Sequence, residues 1–204
     1  MPRIIVSHQD KLVWVAVAKA ASMAMHAAMT RKLGIPFNEW HRYCVPSIAQ
    51  VRQMTGYFRF GFVRNPWAKL FSCYMDKIVG PTIRDQQFIL GQYGFTPGMP
   101  FEDFLRGVAE ISDREADGHF VSQFYALGHE GELAVDYVGR FENLPADWDG
   151  LRPRYDLPEL PWAPVGSPRS RFDFDYHKPH YTPELIEIVG RRYSDDVRHF
   201  RYEY

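Results

Sequence analysis

The chain has 204 residues, a length that suits one domain. Lys and Arg total 24 and Asp and Glu total 25, so the formal net charge is −1. Because broad binding to nucleic acids or anionic membranes needs a basic excess, this balance argues against both partners. The two cysteines, Cys44 and Cys73, form no CxxC pair, which excludes a zinc site built from thiolates.

Apolar residues never run to the roughly 18 that a membrane span needs. The apolar run 12–18 is too short for a span and lacks the flanks of a secretory signal. We therefore expect a cytoplasmic protein without a transmembrane segment.

Two strand–turn–helix units are predicted in the first 80 residues. The β-branched apolar run 12–18 predicts a strand buried on both faces, and the Met- and Ala-rich segment 23–33 predicts a helix. Residues 57–63 predict a second strand, and Pro66 stands at the first position of a second helix. This alternation predicts an α/β fold with a mainly parallel central sheet flanked by helices.

The remaining residues predict short elements, which are helices over 101–110 and 121–127 and a third strand over 134–141. Seven prolines lie within residues 145–180, which favours a long irregular loop excursion there. A final helix is predicted to begin with Thr182 as N-cap and Pro183 in its first turn. We expect all of these elements to form a single domain over 1–204.

A cation follows each of the first two predicted strands. Lys19 follows the first strand and Arg64 the second, with Ser22 three residues and Ser72 eight residues further on. Strand ends and helix N-termini in α/β sheets bind anions, so two such turns predict a ligand with two separated phosphate-like groups. The simpler interpretation is that basic residues decorate strand ends as solvated surface.

Common nucleotide and hydrolase motifs are absent: GxxxxGK[ST], GxGxxG, HExxH and GxSxG do not occur. Asp147-x-Asp149 and Asp173-x-Asp175 resemble the DxD pair with which glycosyltransferases hold a metal-bound sugar nucleotide. Both pairs lie in the Pro-rich stretch and not after a core strand, which favours solvated turn carboxylates. A DxD glycosyltransferase is therefore the less favoured enzyme class.

Two segments match the motifs of a known family: residues 12–23, LVWVAVAKAASM, and residues 57–77, YFRFGFVRNPWAKLFSCYMDK. The first resembles the 5′-phosphosulfate loop, and the second the 3′-phosphate motif FxFVRNPxxRLxSxYxDK, of the carbohydrate sulfotransferases of sulfotransferase family 2. Three further matches follow in family order: DGHF at 117–120, DYVGRFENL at 136–144 and the closing helix at 181–204.

The resemblance implies a P-loop-like sulfotransferase. Such an enzyme moves a sulfuryl group from 3′-phosphoadenosine 5′-phosphosulfate (PAPS) to a hydroxyl of a carbohydrate-type acceptor, a glycan or glycolipid, and we expect it to need no metal. By position, Lys19 contacts the 5′-phosphosulfate and stabilises charge on the leaving oxygen, while Arg64 and Ser72 hold the 3′-phosphate. The backbone N–H groups that wrap the 5′-phosphate belong to Ala20, Ala21, Ser22 and Met23.

Two departures from the family pattern stand out. Ala18 replaces the usual Pro before the lysine of the first loop, and Lys69 replaces the usual Arg of the second motif. We expect Lys69 to act as a surface or helix cation. Because the chain is short and shows no membrane anchor, we expect a bacterial-type member of the family and not a Golgi enzyme.

An acceptor hydroxyl needs a base near neutral pH, and His is the usual choice. His41 lies in the connection between Lys19 and Arg64, where the heparan sulfate 2-O-sulfotransferase branch carries its base, so it is the first candidate. His119, within DGHF, is the second.

His26, on the first helix, is better explained as a packed or half-exposed residue, whereas His177 and His180 could equally contact the acceptor or lie in a solvated loop. Arg169 and Arg171 could equally close over a nucleotide or form an exposed basic turn. A nucleotide-binding module of the same fold without catalysis remains an alternative from another functional class.

Overall fold

The computed structural model describes residues 3–45, 47–80, 91–161 and 174–204. The chain divides into two compact units. The first unit contains Met1–Arg64 and Gln123–Pro168, and the second contains Asn65–Ser122 and Arg169–Tyr204. The expected single domain over 1–204 stays a prediction.

The strands in the described ranges are β1 (Ile4–Ser7), β2 (Leu12–Val15), β3 (Phe58–Val63), β4 (Gly128–His129), β5 (Glu132–Leu133) and β6 (Tyr137–Arg140). Four of them form one sheet of the first unit in the order β1-β2-β3-β6, and β4 pairs with β5 in a separate hairpin. Strand β1 is antiparallel to β2, whereas the β2–β3 and β3–β6 pairs are parallel. The predicted α/β fold with a mainly parallel sheet is confirmed.

The helices in the described ranges are α1 (Ser22–Leu33), α2 (Ile48–Gln53), α3 (Pro66–Tyr74), α4 (Phe101–Ala109), α5 (Gln123–Leu127), α6 (Leu144–Tyr155), α7 (Pro183–Arg192) and α8 (Ser194–Phe200). Short 3₁₀ turns cover Trp40–Tyr43, Phe141–Asn143 and Lys178–His180, and a π turn over Met75–Val79 continues α3. The helices predicted after both early strands are therefore confirmed.

Aromatic side chains fill the core of the first unit. All four residues of β2 are buried, as predicted for a strand covered on both faces. Next to it, Phe60 and Phe62 of β3 lie 6.3 and 6.2 Å from the ring of Trp148 on α6. These contacts hold α6 against the sheet.

The prediction of an irregular excursion over the Pro-rich stretch 145–180 is wrong for the first part of the stretch, which forms helix α6. Pro145 lies in the first turn of α6, where its missing N–H costs no hydrogen bond. Burial of Trp148 and Leu151 outweighs the unfavourable Pro153 inside the helix. The third strand is also shorter than predicted, and β1 was not predicted at all.

In the second unit, α7 packs against α3 and α4. Thr182 caps α7 as predicted, since its side chain accepts a hydrogen bond from the backbone N–H of Leu185 at 3.3 Å. Leu185 and Val189 face the core of this unit. In the part of the chain that the structure describes, no helix has the length and apolarity needed to cross a membrane.

The close contact between the Phe62 ring and Gly139 gives a test of this packing. A Cβ added to Gly139 of β6 would overlap the ring of Phe62, whereas a Cβ added to Gly150 of α6 would meet no atom within 4 Å. We expect Gly139→Ala to lower the free energy of unfolding by about 1–3 kcal/mol through overpacking. Gly150→Ala should raise it by up to about 1 kcal/mol, because Ala favours helix. Urea unfolding of both variants measures the difference, and equal stabilities would contradict the packing described here.

Candidate functional site

The loop after β2 opens α1 through two residues in left-handed backbone conformation. Lys19 has a φ of 68° and Ala21, the N-cap residue of α1, has a φ of 59°. For residues other than Gly this conformation costs about 1–2 kcal/mol, and such strain concentrates at functional turns. No side chain caps α1 and no acidic residue lies in its first turn. This turn therefore presents backbone N–H groups and the positive end of a helix dipole, which together suit an anion.

The residues that the sequence assigns to the first phosphate-like group all lie at this turn. Lys19 is half-buried, Ala20 is buried and Ser22, the first residue of α1, is half-buried. Met23 exposes 46% of its surface. The predicted loop thus has the form of a strand, a strained turn and a helix N-terminus.

Arg64, directly after β3, reaches the same turn. Its Nη1 donates a hydrogen bond of 3.0 Å to the backbone carbonyl of Lys19, and its guanidinium carbon lies 4.2 Å from the centre of the Phe141 ring. The two cation-bearing turns meet because β2 and β3 are adjacent parallel strands, so their carboxyl ends lie at one edge of the sheet.

The simpler interpretation, in which the basic residue at a strand end is solvated surface, is wrong for Arg64, which exposes only 5% of its surface. The sequence cannot show this burial, since Phe141 and Gln123 lie far from Arg64 along the chain. Both residues contact Arg64 through the fold of the first unit.

Gln123 is a residue of the site that sequence analysis missed. It is fully buried at the start of α5, accepts the backbone N–H of Arg64 at 2.8 Å and donates to the backbone carbonyl of Arg64 at 2.7 Å. Gly61 allows α5 to approach β3, because a Cβ there would lie 2.6 Å from Leu127. A single Gln has no sequence signature for such a role, so no motif could have revealed it.

Helix α3 of the second unit begins at Pro66, and Asn65 caps it. The Asn65 side chain accepts the backbone N–H groups of Trp67 at 3.0 Å and Ala68 at 3.3 Å, and donates to the carbonyl of Glu203 at 2.8 Å. Ser72 is half-buried further along α3. The turn after β3 therefore differs from the turn after β2, because a side chain already occupies two N–H groups of its helix.

His119 of the second unit is paired with Asp117. Its Nδ1 lies within hydrogen-bond distance of Asp117 Oδ1, which also accepts the backbone N–H of His119 at 3.0 Å. Burial alone would raise the pKa of Asp117, but the hydrogen bonds from His119 outweigh it and lower that pKa to about 2. An ionised Asp117 accepts from Nδ1–H, which leaves Nε2 of His119 as the proton acceptor.

The other histidines have different surroundings. His41 is exposed on the 3₁₀ turn Trp40–Tyr43. His26 is buried on α1, where its Nδ1 lies 2.9 Å from Nη1 of Arg3. His177 is buried. His180 is exposed, and its ring stacks on that of Phe71 with the ring centres 4.4 Å apart. Arg169, Arg171 and Asp173 lie outside the described residues.

Of the two expected settings for Lys69, a surface cation or a helix cation, the structure shows the second. Lys69 lies on α3, exposes only 1% of its surface and donates hydrogen bonds to the carbonyls of His119 and Val121. Burial lowers the pKa of Lys69 to about 8, and the nearby Asp196 partly opposes this shift. The family motif places a cation here, but its partners lie about fifty residues away and cannot be read from the sequence.

The two carboxylates of the first DxD pair make local contacts within α6 and with the residues just before it. Asp147 accepts the backbone N–H of Arg140 at 2.6 Å and the amide of Asn143 at 2.7 Å, and Asp149 pairs with Arg152 at 3.1 Å. Within the described ranges, no group of three or more His, Cys, Asp or Glu side chains could hold a metal ion. For this pair, the interpretation as turn and helix carboxylates fits the contacts.

Comparison with known proteins places these features in context. A family model described as Sulfotransferase family matches residues 2–203. Carbohydrate sulfotransferase 14 from Mus musculus and from Homo sapiens are each 25% identical to this chain over 228 aligned residues. The alignments cover 98% of this chain but 60% of each relative, so the chain spans about 60% of their length. No solved structure matches the chain.

His26 gives a pH-dependent test of the packing behind α1. Burial, reinforced by the charge of Arg3, lowers the pKa of His26 from 6.5 to about 4. The folded state therefore binds fewer protons than the unfolded state between these values, and stability falls as the pH drops from 6.5 towards 4. We expect this group to contribute a loss of about 3 kcal/mol, since one pKa unit corresponds to about 1.4 kcal/mol.

The measurement compares urea unfolding of the wild type and His26→Gln at several pH values from 7 to 4. Gln stays neutral and can still accept from Arg3, so the variant should lose less stability on acidification. Parallel stability curves for the two proteins would show that His26 is not held neutral by its surroundings.

Proposed function

Because this chain belongs to the sulfotransferase family, we propose that it transfers a sulfuryl group from PAPS to a hydroxyl of a carbohydrate acceptor. The names of its relatives, carbohydrate sulfotransferases, support a glycan or glycolipid as the acceptor. The observation that carries the proposal is the hydrogen bond between Arg64 Nη1 and the carbonyl of Lys19. It brings together two turns of the kind that a nucleotide charged at both ends requires.

The two turns suit the two ends of this donor in different ways. The uncapped N-terminus of α1 supports binding of the 5′-phosphosulfate by the N–H groups of residues 20–23, with Lys19 and the Ser22 hydroxyl beside them. The guanidinium of Arg64, together with Ser72, is assigned to the 3′-phosphate. A guanidinium binds phosphate through two parallel hydrogen bonds, which a lysine cannot reproduce.

Sulfuryl transfer is an in-line displacement. The acceptor oxygen forms a bond to sulfur while the bond from sulfur to the bridging phosphate oxygen breaks, and 3′,5′-adenosine bisphosphate leaves. The transition state is loose, so positioning and charge stabilisation dominate catalysis. The ammonium group of Lys19 is assigned to the negative charge that develops on the bridging oxygen.

We propose His119 as the base that removes the proton from the acceptor hydroxyl. Its contact with Asp117 supports this role, because a carboxylate on Nδ1 makes Nε2 the proton acceptor and stabilises the imidazolium that forms. His41, the first candidate from the sequence, is exposed and becomes the second candidate. The proposed chemistry uses no metal ion, since a sulfuryl group carries less negative charge than a phosphoryl group.

The role of Lys19 can be tested against a closely matched lysine. Lys11 also has a left-handed backbone, with a φ of 49°, but it lies at the opposite end of β2. We expect Lys19→Ala to reduce sulfuryl transfer from PAPS at least about 100-fold, the size of effect seen when one charge-stabilising group is removed. Lys11→Ala should transfer at the wild-type rate.

Radiolabelled sulfate transfer to a panel of glycans measures the rate, and calorimetry with 3′,5′-adenosine bisphosphate shows whether the donor site persists. Equal rates for the two alanine variants would refute the assignment of Lys19. Binding of the bisphosphate by a wild type that transfers to no acceptor would point to a nucleotide-binding module instead.

The choice of base is tested by His119→Ala and His41→Ala, with His129→Ala as a control. Loss of a general base typically costs about 100-fold or more in turnover. We expect this loss in kcat for His119→Ala, with unchanged affinity for the bisphosphate, and near wild-type kcat for the other two variants. The reverse pattern, with His41→Ala inactive and His119→Ala active, would move the base to His41.

A further inference from the structure

A buried lysine holds the backbone on which His119 lies. Lys69 Nζ donates hydrogen bonds to the carbonyls of His119 at 3.2 Å and Val121 at 2.8 Å. Removal of the ammonium charge from water is costly and needs compensation, so lysine is rarely fully buried. An apolar side chain of similar length would fill the same space without this cost. Here the compensation comes from two backbone carbonyls of one short segment and from the nearby buried carboxylate of Asp196.

Tyr193 binds the backbone carbonyl of Phe120, which lies between the two carbonyls bound by Lys69. Its hydroxyl donates to the carbonyl of Phe120 at 2.5 Å, and its ring lies 5.6 Å from Lys69 Nζ. The side chain of Tyr193 exposes 1% of its surface, and burial raises its pKa well above the usual value. The hydroxyl therefore remains a donor throughout the physiological pH range.

Asp113 holds the end of the same segment. It accepts the backbone N–H of Ser122 at 2.9 Å and the Ser122 hydroxyl at 2.6 Å, and Arg192 binds the same carboxylate at 2.7 Å. At the other end, Asp117 accepts the backbone N–H of His119. Side chains thus bind a backbone group at each of the four residues 119–122.

We propose that Lys69, Tyr193 and Asp113 are positioning residues for the transfer reaction, fixing the backbone of residues 119–122 so that the His119 ring keeps one orientation against Asp117. This inference rests on the proposed function in which His119 is the base. We call the three residues the frame. A base held in one orientation gains rate because small displacements of a reacting group lower turnover strongly.

The test compares Lys69→Met with Lys32→Met. Lys32 is also a nearly buried helix lysine, bonded to Asp10 at 3.1 Å and to the carbonyl of Asp156 at 3.4 Å, but it lies in the first unit. Both variants lose a helix lysine whose side chain is largely shielded from solvent and whose ammonium group binds a backbone carbonyl. We expect Lys69→Met to lower kcat about 10- to 100-fold with bisphosphate affinity within about twofold of wild type. Lys32→Met should keep the wild-type kcat whatever its stability.

Two further variants distinguish a loss of positioning from a loss of folded protein. Tyr193→Phe removes one hydroxyl and should lower kcat about threefold to tenfold, whereas Lys69→Arg keeps a cation that can bind two carbonyls and should restore most of the turnover. In each variant, hydrogen exchange at the amides of 120–122 and ¹⁵N chemical shifts of the His119 ring report on the frame without turnover. We expect faster exchange and a mixture of ring tautomers in Lys69→Met, a smaller change of the same kind in Tyr193→Phe, and wild-type values in Lys69→Arg and Lys32→Met.

The frame is refuted if the wild type is active and Lys69→Met matches Lys32→Met in kcat, exchange and ring shifts, a result that leaves the proposed function intact. It is also refuted if Lys69→Met loses turnover only in proportion to its folded fraction. A wild type that transfers no sulfuryl group would refute the proposed function, and the role of the frame in transfer with it. Exchange and ring shifts would still show whether Lys69 holds His119.

Discussion

The hydrogen bond from Arg64 to the carbonyl of Lys19 joins the two turns on which the proposed chemistry depends. It exists because β2 and β3 are adjacent and parallel, so the turns that follow them lie side by side. Arg64 is held in place, because Phe141 faces its guanidinium and Gln123 binds its backbone. A cation that is fixed before its anion arrives needs little reorganisation when the anion binds, and its partial burial strengthens the attraction.

The turn after β2 suits an anion for a different reason, which is its strained backbone and the uncapped helix that follows it. Lys19 and Ala21 adopt left-handed conformations without the help of glycine, and α1 begins without a capping side chain. Both features cost free energy in the isolated protein. A bound anion would compensate for the missing cap, so the donor should stabilise the fold as well as occupy the site. The proposed donor, which is charged at both ends, would account for the strain, the uncapped helix and the buried arginine together.

Much of this organisation could be predicted from the sequence because it follows from local order. A strand, a cation and a helix start occur twice, and parallel pairing then places Lys19 and Arg64 at one edge of the sheet. The burial of Arg64 against Phe141, the hydrogen bonds from Gln123 to Arg64 and the anchoring of His119 by Lys69 could not be predicted, because each depends on a contact between residues at least 50 positions apart. Helix α6 was missed for a related reason, since tertiary burial of Trp148 overrides the local effect of proline.

A crystal structure of the protein with 3′,5′-adenosine bisphosphate tests the central claim most directly. We expect the 5′-phosphate to accept hydrogen bonds from the backbone N–H groups at the start of α1 and the 3′-phosphate to contact the guanidinium of Arg64. One nucleotide would then bridge the two turns. A nucleotide bound elsewhere, or one that leaves either turn without a phosphate, would contradict it.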